Sequence, residues 1–143
     1  MTTRPTYDDA NLILRLYEMR RDDRMRKARA WFVANFKPKT WDDLQKIAPP
    51  GSDENASYRM VVTYWEMVAS FVTGGVLHKE LFFQSGRELL LVWERLSDVL
   101  KPMREIYKDP LLYQHLEIVG TEFATYFKEK SGDGYDAFLK RIK

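Results

Sequence analysis

From Tyr58 to Thr73 the chain leaves only a narrow polar strip, and that strip constrains everything around it. Tyr58, Val61, Val62, Trp65, Val68, Ala69 and Val72 recur at the i, i+3, i+4, i+7 spacing of one helix face, and Met60, Tyr64, Met67 and Phe71 add a second apolar stripe. What remains is Arg59, Thr63, Glu66, Ser70 and Thr73, which also step by four and three. A helix that is apolar over most of its circumference has to be surrounded. This one is predicted to sit in the middle of a helical bundle.

The segments on either side supply the surroundings. One helix is predicted from about Asp8 to Phe36, capped by Thr6 or Asp8 and stopped by Pro38. Its apolar residues form two faces rotated about the axis, Leu12, Ile13, Leu16 and Met19 on one and Met25, Ala28, Phe32 and Phe36 on the other, with a charged waist from Arg20 to Lys27 between them. Lys39 to Ile47 reads as a short helix with Thr40 as cap and Asp43 completing a capping box, and the segment from Pro49 to Glu54 is the most linker-like stretch.

The central helix is predicted to begin near Asn55 and to stop at Gly74-Gly75, where glycine can take the left-handed conformation. A short helix follows within Val76 to Gln84. The stripe Leu89, Val92, Trp93, Leu96, Leu100, Met103 and Tyr107 marks a long helix through Arg87 to Tyr107, in which Pro102 predicts a kink or a break. Asp109-Pro110 reads as the start of another helix, reaching Lys128. After the turn at Gly132-Asp133-Gly134, Tyr135, Phe138, Leu139 and Ile142 outline a last amphipathic helix. No segment alternates with period two. The fold class is therefore all-α, a bundle of about four main helices plus two or three short ones in a single domain over residues 1–143.

Composition removes several kinds of chemistry. The 143 residues include no cysteine, which excludes thiolate metal sites, cysteine nucleophiles and a disulfide-built scaffold. The longest charge-free stretch, Met67 to Leu77, is much shorter than the ~20 residues needed to cross a bilayer, and Met1 to Asp9 lacks the apolar core of a signal peptide. A cytoplasmic protein without a membrane span is expected. The net charge of +2 is unevenly distributed, with ten Lys/Arg against five Asp/Glu in residues 1–40 and five against nine in residues 41–100. Such a division favours pairing within the chain or between copies.

Three stretches carry a family resemblance: Met25-Arg26-Lys27-Ala28-Arg29-Ala30-Trp31-Phe32-Val33, then Tyr64-Trp65-Glu66-Met67-Val68-Ala69 through Gly75-Val76-Leu77, then Val92-Trp93-Glu94-Arg95-Leu96 with Pro102 and Arg104. Over roughly residues 10 to 120 the chain resembles a bacterial family of all-helical proteins of unknown function, many of whose members carry a membrane-spanning helix ahead of this region. The resemblance implies a bacterial helical protein. It brings no activity, cofactor or catalytic residue.

Among candidate sites, a di-metal centre in a bundle needs Glu-x-x-His steps, and the residues three before His78 and His115 are Gly75 and Leu112. Ser70, Ser85 and Ser97 stand in no nucleophile elbow, and Gly74-Gly75 lacks the Lys and Ser/Thr of a phosphate loop. No metal, cofactor or catalytic residue is assigned. Six cations lie between Arg20 and Arg29, but Asp22 and Asp23 stand four residues before Arg26 and Lys27, and no recognition motif accompanies them, so nucleic acid is disfavoured as a partner.

Two readings of function remain. In the leading one the chain is a non-enzymatic module that associates with itself or another protein. The first helix is then the contact element, and Trp31 and Phe32 beside Arg29 form the candidate interface patch. The alternative is a small-ligand or catalytic pocket between the central helix (55–73) and the Trp93 helix. Glu66 would anchor it, with Arg59 and Glu94 nearby, and Glu94-Arg95 itself is expected as an exposed pair.

Overall fold

A computed structural model describes residues 3–143. Its elements are α1 (Tyr7–Arg20), α2 (Asp23–Asn35), α3 (Trp41–Ile47), α4 (Asp53–Thr73), α5 (Lys79–Phe83), α6 (Arg87–Tyr107), α7 (Gln114–Ser131) and α8 (Gly134–Ile142). The described residues contain no strand. α4 is the axis of the packing: α2 and α7 lie against it along much of its length, and α6 packs on α7 and on α4. Val61, Val62, Val68 and Ala69 are sealed in the interior, while Arg59, Thr63 and Thr73 of the polar strip face solvent.

The all-α expectation holds, and the expectation of about four main helices is met roughly. The predicted first helix is two helices, so five long elements and three short ones make up the bundle. Arg21 closes α1 through a backbone hydrogen bond to Glu18, and the Asp22 carboxylate accepts from the Met25 N–H at 3.3 Å, which starts α2 as a new, capped helix. The break lets each of the two rotated apolar faces meet the same core. Leu16 from α1 and Met25, Ala28 and Phe32 from α2 are all buried, an arrangement one straight helix would not permit.

Other boundaries follow local chemistry. Capping boxes close the N-termini of α1 at Thr6 and Asp9 and of α3 at Thr40 and Asp43. Gly75, at φ +76°, is the left-handed residue after α4, and it lets the N–H groups of Val76 and Leu77 turn back to the Phe71 carbonyl. Pro102 lies within α6 and does not end it. Asp109-Pro110 does not start α7: residues 110–113 form turns, and the helix begins after Tyr113, which is itself left-handed at φ 56°. Aromatic rings fill the interior, with Phe36 stacked between Phe32 and Tyr58 at centroid distances of 4.6 and 4.9 Å and Phe83 stacked on Phe123 at 4.3 Å.

Candidate functional site

The residues singled out for a pocket do not meet. Arg59 is exposed on α4. Glu66, half-buried, turns to α7, where its carboxylate accepts the Leu116 N–H at 2.7 Å. Leu116 is the third residue of a helix whose own cap residue, Tyr113, gives no side-chain bond, so Glu66 caps α7 from a neighbouring helix. Glu94 is buried on the far side of the core and accepts the Tyr135 hydroxyl of α8.

The expectation of an exposed Glu94-Arg95 pair is also wrong. Both side chains are buried. The Arg95 guanidinium donates to the carbonyls of Phe32 and Val33 near the end of α2, at 2.9 and 2.7 Å, and to that of Ile142 at the end of α8, at 2.9 Å. Desolvation pushes its pKa down. The negative ends of two helices supply the compensation that a carboxylate would otherwise give.

The proposed patch on α2 is divided. Phe32 has no exposed surface and belongs to the core, so it cannot line a contact face of this fold. Trp31 is half-buried, tilted against Phe36. Arg29 turns inward to Glu88 of α6, with three N···O distances between 2.9 and 3.1 Å, and Glu88 also accepts the Trp65 indole N–H at 3.0 Å. That bond holds the Arg29 guanidinium above its ordinary pKa. The charged waist is broken up in the same way: Arg20 and Arg21 lie over the Tyr17 ring, Arg20 also over Trp65, and Arg24, Arg26 and Lys27 stay in solvent.

The surface that stands out instead belongs to α1. Tyr7, Leu14 and Tyr17 are 86%, 60% and 51% exposed, and Ala10 is exposed with them. Their spacing, 7, 10, 14 and 17, is the a/d alternation of a heptad, so they form one stripe on the face opposite Leu16. Beside the stripe a groove of about 270 Å³ runs between α1, α4 and α5, walled by Ile13, Leu16, Trp65 and Phe82, with Leu14 and Tyr17 at its lip. α1 itself is fastened at its N-terminus. Asp9 accepts from the Thr6 and His78 N–H groups at 2.7 and 2.8 Å, and these bonds hold its carboxyl below the usual range.

Residues 5–123, from just ahead of α1 into α7, match a domain of unknown function, DUF4760. The chain belongs to the DUF4760 family. No curated protein and no solved structure matches it. The DUF4760 segment includes the α1 stripe and the Glu66 cap, and α8 lies beyond it. No helix of the described residues is long and apolar enough to cross a membrane.

Sequence reasoning missed the α1 stripe for a specific reason. Tyr7 and Ala10 were outside the periodic set, and Leu14 and Tyr17 look like the flank of the inward face until the packing direction is known. The heptad spacing was present all along in the sequence.

Proposed function

We propose that this DUF4760 chain is a non-enzymatic association module and that the outer face of α1 is its contact surface, its occupant a second copy of the same chain. The observation that carries the reading is the exposed heptad stripe of Tyr7, Ala10, Leu14 and Tyr17 on a well-anchored helix. Charge and size both favour an antiparallel pairing of two α1 helices. In the register that sets Tyr7 opposite Tyr17 and Ala10 opposite Leu14, each small residue meets a large one. In the same register exposed Asp8 falls within one residue of exposed Arg15 of the second copy, on the flank of the stripe.

A helix of 14 residues is only ~21 Å long, so the contact is small and the dimer weak, on the order of micromolar or weaker. Sedimentation equilibrium is the test. A mass moving from 17.0 kDa toward twice that value as concentration rises, and held at 17.0 kDa by Leu14→Glu, is the expected result. A monomer at every concentration up to about 1 mM overturns the proposal, since such an interface would then be weaker than millimolar.

A further inference from the structure

The outer side of α6 carries a second feature, independent of α1. Where the end of α6 meets the 108–113 turn and the start of α7, a cleft of about 660 Å³ opens with Trp93 at one end and Lys101, Arg104 and Lys108 at the other. Three observations converge on it. The Arg104 guanidinium uses Nε on the Leu112 carbonyl at 2.9 Å and Nη1 on Glu117 at 3.0 Å, but its Nη2 is buried with no partner among the described residues. Sealed from solvent, Nη2 is out of reach of a ligand in the cleft, and Arg104 contributes there its positive charge and the part of its side chain that lines the wall.

Lys108 provides the second observation. It closes α6 in the left-handed conformation, φ 54°, with its N–H and that of Asp109 turned back to the Arg104 carbonyl. Glycine normally fills that position because a side chain there is strained. The same residue lines the wall of the cleft. Neither Lys108 nor Lys101 forms an ion pair among the described residues.

The third observation is the indole of Trp93. Gly120 of α7 packs directly against it: a Cβ there would lie 2.3 Å from Cγ of the indole. The ring is therefore held on the α7 side, and Trp93, half-buried, also lines the cleft. Glu117 is already neutralised by Arg104, so the polar end of the cleft is cationic even with Glu105 on its rim.

We infer that this cleft binds a small organic oxyanion, its phosphate or carboxylate among Lys101, Arg104 and Lys108 and its flat apolar body along Leu100 toward Trp93. The test is an NMR titration of the full chain with 1-naphthyl phosphate, benzoate and inorganic phosphate, following the Lys108 amide and the Trp93 indole N–H. Saturable shifts at both positions are expected with 1-naphthyl phosphate, which binds at least roughly fivefold more tightly than inorganic phosphate because the ring adds contact with the wall. Benzoate binding as tightly as the phosphate ester identifies a monoanion site, and weaker benzoate binding identifies a dianion site.

Lys108→Gly separates binding from folding. Removing the left-handed side chain raises the Tm, while the lost ammonium weakens 1-naphthyl phosphate by roughly fivefold or more. Lys101→Ala weakens it likewise without touching the turn. The inference is overturned if no saturable shift appears, or if both folded variants bind as the parent does.

Discussion

The Glu66 carboxylate lies 2.7 Å from the Leu116 N–H and caps a helix to which it does not belong. α4 and α7 are joined there by a charge-assisted bond at the positive end of α7, in addition to their apolar contact. The residue most suggestive of chemistry in the sequence is thereby occupied with architecture.

Replacing Glu66 by alanine removes that cap. About 1 to 2 kcal/mol of stability is expected to go with it, and Glu66→Gln, which keeps an acceptor oxygen, loses less than half as much. Urea unfolding of the three proteins decides the point: equal losses for alanine and glutamine would mean that the bond contributes through charge alone.

Arg95 is expected to be among the most sensitive positions in the chain. Arg95→Met leaves the carbonyls of Val33 and Ile142 without their donor, while that of Phe32 keeps the Phe36 N–H, a loss of roughly 2 kcal/mol or more. Hydrogen exchange should localise the loosening to α8 and the end of α2. A uniform change across the bundle would contradict the tethering role.

Gly120→Ala tests the packing of Trp93. The added methyl group would meet Cβ, Cγ and Cδ1 of the indole at 2.3 to 2.6 Å, atoms that cannot move without the α6 backbone. Overpacking of this kind costs about 1 to 3 kcal/mol, and Trp93 fluorescence should shift with it. Unchanged stability and emission would show that α6 and α7 separate more easily than their packing implies.

The alkaline limb of stability follows from the phenols. Burial pushes Tyr64 up to about 12 and raises Tyr58, Tyr113 and Tyr135 as well, the last also through its bond to Glu94. In the unfolded chain a phenol ionises near pH ~10, so the folded state holds more protons above that pH. Stability is therefore complete below about pH 10 and falls as pH rises from 10 toward 12. Urea midpoints at pH 8, 9 and 11 should show little change over the first step and a drop over the second. A midpoint that rises with pH would reverse the sign.

Much of the architecture was legible because it depends on local rules. The capping boxes at Thr6 and Thr40, the stop after Thr73 and the long stripe of α6 each involve residues within a turn or two of one another. The break at Asp22 was less legible. Asp22 and Asp23 stand at pairing distance from Arg26 and Lys27 in a continuous helix, and the same Asp22 serves equally well as the cap of a new one. Both arrangements use the same residues locally, and the core decides between them by drawing Leu16 and Phe32 to the same side.

The candidate site fared differently. Glu66, Arg59 and Glu94 share two helices in sequence but point to three different surroundings in space, and Phe32 and Arg29 turn inward where a contact patch was expected. Hydrophobic spacing fixes which residues of a helix share a face, because the helical repeat is a property of the backbone. It does not say what each face meets. By itself the sequence determined an all-helical chain built round the segment from Tyr58 to Thr73. Only the tertiary structure decided that α1 keeps a heptad stripe in solvent, that Glu94 and Arg95 are buried and that Arg104 is shared between the Leu112 carbonyl and Glu117, because burial and pairing depend on which surfaces the fold brings together.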